Sequence, residues 1–363
     1  RSCRIDMNHA ETLRQMLRDY IRLADGIEAL RNMRVATIGV NPDAFATTFS
    51  NQMELFRLGF SLHTYELLDI WGDVVLGCQL EGEETDYAGP WGNASLGNPI
   101  RRDDERVSAA RERIGEAGCA LPADERKCDL IARYFVWLQS TFQRDRIDAA
   151  AMHCWPQVRR FFGIGAPCAF AMLSNFLLDV PVVCEGDVCH AIMAKLAATL
   201  SGEPGVILDV NNNGWDPRVF NAFHCSQTPP NWLVDGGRVS DYGSVTGRIA
   251  PVPFTGIAAA TSADTFHAVV FRGHFLEEHA GSRGSSGWAY VPNFPEVLRA
   301  IEETGIHHFV AAKGNVARNV AEALGFRGLV VRDLSREVGS LEEIGAKLPP
   351  MDGDEGPCRI YSA

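Results

Sequence analysis

The chain has 363 residues, 46% hydrophobic and 22% charged, which is room for a sizeable core divided over two or three domains. A net charge of −12 excludes an extended nucleic-acid surface and a basic face for anionic membranes, because phosphate groups reward clustered Lys and Arg. No apolar run is long enough to span a bilayer. The ten cysteines include no C-x-x-C pair and follow no signal peptide, so they read as buried thiols of a reducing, cytoplasmic compartment.

The chain opens on Arg1, and "HAETLRQMLRDYIRLADGIEALRNM" is an amphipathic helix running straight into a strand, so we expect a further N-terminal part in the native protein. "RVATIGV" (34–40) reads as a buried parallel strand, followed by the loop "NPDAF", a helix to about Leu58 and a second strand in "FSLHTYELLDI". Strand, helix, strand at this spacing is a βαβ unit. Residues 81–105 are a polar loop region rich in Gly, Asp, Glu and Pro. A long helix at 123–144, a strand in "IDAAAMHCW", a helix at 165–178, a strand in "VPVVCE" and a helix at 187–200 complete a Rossmann-like α/β half with a doubly wound parallel sheet.

After "SGEPG" (201–205) the texture changes to strand-like segments broken by Asn, Gly and Pro. Helices return only in "FPEVLRAIEE" and "NVARNVAEALG", each followed by a strand, "GIHHFVAA" and "RGLVVRDL". The expected architecture is therefore a Rossmann-like domain over 1–203 and a β-rich α+β domain over 204–363.

Two carboxylates end apolar runs. Glu185 follows "VPVV", at the carboxyl end of a parallel strand, where open α/β sheets place ligands. Asp187 is the natural N-cap of the next helix, which leaves Glu185 to face a crevice or to support the helix dipole. Asp209 closes "GVILDV". The string "DVNNNG" imitates the start of a calcium loop, but Phe220 stands where that loop needs its bidentate Glu, so calcium is rejected.

His274 and His279 in "HFLEEH" are about 140° apart on a helix and on opposite faces of a strand, so they read as a solvated strand end. "GIHHFVAAKGN" sends one of two adjacent histidines, His307 or His308, into a cleft and the other away from it. Imidazole beside carboxylates suits Mn²⁺, Co²⁺ or Zn²⁺. "FHCSQTPPNW" adds His224 at a strand end, and "HAGSRGSSGW" reads as a substrate lid ending on Trp288, with Arg283 a weak phosphate signal.

The order "CWP" (154–156), "CEGDV" (184–188), "LDV" (208–210), "FHC" (223–225) and "HH" (307–308) resembles the L-fucose/L-arabinose isomerase superfamily, and more closely its L-fucose isomerase branch. The likeness runs from "RVATIGV" to "RGLVVRD", without that enzyme's N-terminal domain. It implies a homo-oligomer and a Mn²⁺-dependent aldose–ketose isomerase acting on a free sugar through an enediolate, with Co²⁺, Mg²⁺ or Zn²⁺ as other candidate ions. It makes Glu185 and Asp209 the metal-binding carboxylates that also move protons, His308 a metal-binding histidine, and His224 an additional ligand. Trp155 and His307 are the expected sugar contacts, an aromatic face for C–H surface and an imidazole for hydroxyls.

Two other functions fit parts of this pattern. A metal-dependent sugar-phosphate aldolase or epimerase shares the enediolate but needs a phosphate site. A sugar-binding protein without turnover has no need of an acid/base pair.

Overall fold

The computed structural model describes residues 10–76, 100–101, 103–154, 158, 163–164, 167–177, 180–225, 227–240, 243–262, 264–278 and 284–349. Its first half contains helix α1 (Ala10–Ala29), strand β1 (Arg34–Ile38), α2 (Gln52–Arg57), β2 (Ser61–Tyr65), α3 (Leu67–Ile70), α4 (Glu105–Glu116) and α5 (Glu125–Asp145). Then come β3 (Ala149–Met152), α6 (Pro167–Leu177), β4 (Val182–Val183) and α7 (Val188–Ser201). Strands β1 to β4 form a four-stranded parallel sheet in the order β2-β1-β3-β4.

Strand alternation divides the sheet's side chains between two cores. Ala36, Ile38, Ala150, Met152 and Val182 join one apolar cluster with residues of α5 and α6, among them Phe135, Leu138 and Phe170. Val35, Ala149, Ala151 and Val183 face the other way, into a cluster with Ile192 and Leu196 of α7. Helices thus cover both faces of the sheet at β3 and β4, which explains why these strands are continuous apolar runs rather than alternating ones, while the edge strand β2 is polar and only half-buried.

The second half holds β5 (Val206–Asn213), β6 (Val219–His224), β7 (Arg238–Val239), β8 (Val245–Arg248), β9 (Pro253–Thr261), β10 (Phe266–Phe275) and β11 (Ser285–Tyr290). Helix α8 (Phe294–Thr304), β12 (His308–Lys313), α9 (Ala317–Phe326), β13 (Val330–Asp333) and α10 (Leu341–Gly345) follow. The nine-stranded sheet has the order β13-β10-β9-β12-β5-β6-β11-β8-β7, and an extra pairing of β10 with β11 closes β10, β9, β12, β5, β6 and β11 into a barrel.

The barrel is filled by aromatic rings: Phe254 and Phe275 are 4.6 Å apart, Phe271 and Phe309 5.4 Å, and Phe294 of α8 stacks on Phe220 at 4.3 Å. Cross-strand glycines make room for two of them. Gly256 pairs with Phe271 and Gly273 with Phe254, and a Cβ on either glycine would lie within 2.5 Å of its partner's ring. The outward residues Ile257, Val270 and Val310 join the cluster of α7, together with Val320 and Leu324 of α9.

Several segments differ from their sequence reading. "NNN" of "DVNNNG" continues β5 past a bulge between Val210 and Asn212, because pairing with β6 carries the strand on. Ser285–Trp288, expected in a loop, are strand β11 paired to β6 and β8, while 279–283 with Arg283 lie outside the described residues. His274, expected at a solvated strand end, is buried, and its ring Nδ1 lies 2.7 Å from the Phe275 carbonyl oxygen.

The end of β2 is fastened to the end of α5: Tyr65 Oη donates to Asp145 Oδ2 at 2.8 Å and Arg144 donates to both Asp145 oxygens at 2.9 and 2.7 Å. Arg144, opposed by partial burial and joined by Tyr65, holds this carboxyl at about 2 against an ordinary 3.8. A depressed carboxylate pKa adds stability above the ordinary value and loses it as pH falls toward the folded one. Urea midpoints measured from about pH 4 down to about pH 2 are therefore expected to fall more in wild type than in Asp145→Asn.

Candidate metal centre

Glu185 leaves β4 with φ +64, followed by Gly186 at φ +67. The left-handed region is costly for a residue with a Cβ, and here two successive residues adopt it before α7 begins. The loop after β1 holds the turn in place. Asn41 Nδ2 donates to the Gly186 carbonyl at 3.0 Å, Thr48 Oγ1 donates to the Glu185 carbonyl at 3.1 Å, and the Gly186 amide donates to Met152 O at 3.0 Å.

Three neighbouring barrel strands face this turn. Asp209 of β5 lies opposite His308 of β12 in the antiparallel register, and β6 on the other side of β5 ends on His224. His308 Nε2 is 3.4 Å from Glu185 Oε2 and 3.3 Å from Asp209 Oδ1, and His307 Nε2 is 3.7 Å from the same two atoms. The His224 ring centroid is 5.4 Å from that of His308, and His224 has a ligand atom within 4.8 Å of those of Asp209 and His308.

The expectation that strand alternation separates His307 from His308 is corrected here. His307 precedes β12 rather than belonging to it, so alternation does not govern it, and the two rings lie 3.8 Å apart with nitrogens on the same carboxylates. His307 is held from the β1–α2 loop: Phe45 stacks on it at 6.1 Å, and Thr47 Oγ1 is hydrogen-bonded to its Nδ1.

The sequence showed Asp187 as a helix cap, and it is one: Oδ1 accepts the His190 amide at 3.0 Å. A second role was hidden. Asp187 Oδ2 lies 2.6 Å from His190 Nδ1 and 2.8 Å from His308 Nδ1. His190 Nε2 accepts the Ala259 amide at 3.2 Å, so its proton is on Nδ1. The signal that could have found this pair is the three-residue spacing of Asp187 and His190, which places them on one face of the first turn.

Asp187 thus fixes the His308 ring with Nε2 aimed at the carboxylates, the arrangement that orients metal-ligating histidines. Glu185 Oε2 and the Nε2 atoms of His224, His307 and His308 are all buried without a hydrogen-bond partner. Buried polar atoms are rarely left so. Two carboxylates and imidazoles around one point suit a divalent cation, and these unbonded atoms fit that requirement. The centre is closed around Glu185 and His308, whose side chains are 9% and 1% exposed, and open toward Asp209 and His307, at 24% and 32%.

Burial pushes the Glu185 carboxyl up, but the facing imidazoles of His307 and His308 and the charge of His224 hold it well below the usual range. Asp187 behaves alike, held down by His190 and His308. Burial lowers the His308 pKa, yet Asp187, Glu185 and Asp209 together raise it well above the ordinary imidazole value. Glu185 and Asp187 are therefore anionic and His308 takes up a proton that a bound cation would displace.

Trp288 lies elsewhere. It pairs with Asn221, and its indole meets Trp215 edge-on at 5.5 Å in a cluster that includes Leu341 and Leu348. Trp155 lies outside the described residues.

A buried carboxylate–imidazole group at the junction of a parallel sheet and a closed barrel makes this a candidate metal centre. No protein-family model matches the chain. It is similar to the sulfoquinovose isomerases of Priestia aryabhattai and of Priestia megaterium (strain ATCC 12872 / QMB1551), each 22% identical over 330 residues. The match covers 86% of this chain and 67% of each relative, so the chain spans about two thirds of their length. Among the described residues no helix is long and apolar enough to cross a membrane.

Proposed function

We propose that the protein is a metal-dependent sugar isomerase that interconverts an aldose and a ketose. The observation that carries this reading is the convergence of the unbonded Glu185, His224, His307 and His308 atoms with Asp209 Oδ1. The similarity to sulfoquinovose isomerases supports it. Glu185, Asp209 and His308, with His224, would hold Mn²⁺ or another divalent ion, which when bound polarises a sugar carbonyl and its neighbouring hydroxyl.

The chain's own residues supply the proton transfers. Isomerisation removes a proton from C2 of the open-chain sugar and returns one to C1, through an enediolate. Glu185 and Asp209 stand on either side of His308 Nε2, at 3.4 and 3.3 Å, so a sugar entering from the open side meets both. One carboxylate takes the carbon-bound proton and the other serves the oxygens. Asp187 keeps the His308 nitrogen directed at this point. His307, stacked on Phe45 at the open side, is placed to bind a sugar hydroxyl.

The test is metal content after purification without chelator, together with a screen of aldoses, sulfoquinovose first, for ketose formation. A stoichiometric divalent ion in wild type, absent from His308→Ala, and ketose formation that stops with chelator are expected. Wild type that takes up no ion when Mn²⁺ is offered overturns the proposal.

A further inference from the structure

Beside the carboxylate–imidazole group lies a second cluster, of a different chemistry. Cys154 follows β3, Cys184 follows β4, and Cys225 follows β6, so three strand ends from the two sheets each deliver one sulfur. The three Sγ atoms lie within 4.8 Å of one another. Cys154 and Cys184 are buried, whereas Cys225 is exposed. The described cysteines carry thiols, not disulfides.

Buried cysteines often serve only as small apolar side chains. Cys168 fits that description: Cys119 and Cys128 are near enough to act on it electrostatically, yet the three do not come within ligand distance as a group. Cys154, Cys184 and Cys225 do. A divalent ion with three thiolates at about 2.3 Å needs sulfurs about 4 Å apart, inside the 4.8 Å within which the three lie. A nitrogen donor is also at hand, since His224 Nδ1 is 3.5 Å from Cys225 Sγ.

We propose that Cys154, Cys184 and Cys225 form a binding site for a thiophilic divalent cation, Zn²⁺ or Cd²⁺, that adjoins the carboxylate–imidazole centre, Cys225 having ligand atoms of Glu185 and His224 within 4.8 Å. The sulfurs bind as thiolates, so ion uptake releases to solvent the proton of each thiol that still carries one, and no oxidant or reductant takes part. Soft ligands select such ions, whereas the carboxylates of Glu185 and Asp209 favour harder ones, so the two groups sort cations by chemistry. Because Cys184 adjoins Glu185 and Cys225 adjoins His224, an ion on the sulfurs also ties down both neighbours. The inference stands independently of the isomerase reading.

The experiment is a Cd²⁺ titration of fully reduced, metal-stripped protein under argon, following thiolate-to-metal absorption in the ultraviolet and the number of thiols protected from a disulfide reagent. Wild type is expected to develop the absorption to saturation at one ion and to protect three thiols. Asp209→Asn, which alters only the other centre, is expected to behave as wild type. Cys154→Ser and Cys184→Ser are expected to lose at least tenfold in affinity, with Cys225→Ser as the exposed variant least able to disturb folding and far-ultraviolet circular dichroism reporting the fold of each. Reduced wild type without the absorption overturns the proposal, as does an absorption unchanged in folded Cys225→Ser. A disulfide within the trio that forms in air, with no Cd²⁺ uptake after reduction, overturns it as well.

Discussion

Replacing Glu185 with Gln is expected to lower kcat for aldose–ketose exchange by about 10²- to 10⁴-fold, the usual worth of a positioned acid or base. The amide keeps the shape of the side chain but cannot take a proton, and it offers a neutral oxygen where a cation needs a charged one. Solvent hydrogen exchange at C2 of the sugar should stop in step with turnover, and metal content should fall. A folded Glu185→Gln protein with unchanged turnover and ion content would falsify the role. The backbone allows an independent check. At φ +64 a side chain costs about 1–2 kcal/mol that glycine does not. Both Glu185→Gly and Glu185→Ala remove the carboxylate, but only alanine keeps a strained Cβ, so Glu185→Gly is expected to be the more stable of the two by about 1 kcal/mol while both lose activity.

Asp187→Asn should produce the second large effect without touching the sugar. One oxygen of Asp187 accepts the His190 amide and the other faces the Nδ1 atoms of His190 and His308. An asparagine can still cap the helix. Whichever way it turns, though, its NH₂ meets a donor, either the backbone amide or the two rings. His308 then loses the contact that aims Nε2, and metal affinity and kcat are expected to drop together by about 10- to 100-fold. The readouts are the metal dissociation constant and the Mn²⁺ dependence of the rate, where added Mn²⁺ should restore part of the activity. Loss of turnover with unaltered metal affinity contradicts this role. There is a stability signature too. The folded Asp187 pKa lies below the ordinary 3.8, so the wild-type carboxylate adds stability above that value and forfeits it as pH falls further. Asp187→Asn should lack that share of the acid loss.

Much of the architecture was legible because it rests on periodicity. The long helix read at 123–144 is α5 at Glu125–Asp145, and the helix read at 187–200 is α7 at Val188–Ser201, each with an Asp N-cap in the sequence. The inner and far strands β1, β3 and β4 were visible as short apolar runs, since helices cover both of their faces. The barrel was not. Its segments read as broken strands because closure depends on β10 pairing with both β9 and β11, and on Gly256 and Gly273 making room for phenylalanines opposite them. Such cross-strand complementarity is invisible along one strand.

The candidate centre divides in the same way. Chemistry-bearing residues that end or interrupt apolar runs, Glu185, Asp209, His224 and the pair His307–His308, were determined by the sequence, because such a carboxylate or imidazole is conspicuous. Asp209, read as a strand end, lies inside β5, because pairing with β6 carries the strand on to Asn213. Their convergence was decided only by tertiary structure. Register sets His308 opposite Asp209, the left-handed turn brings Glu185 to both, and the β1–α2 loop places Phe45 and Thr47 on His307. Asp187 gained its second partner, and the three cysteines their company, in the same manner. Local sequence fixes which groups a chain offers and which way a strand alternates, whereas distances between groups more than a hundred residues apart follow from how the two sheets pack.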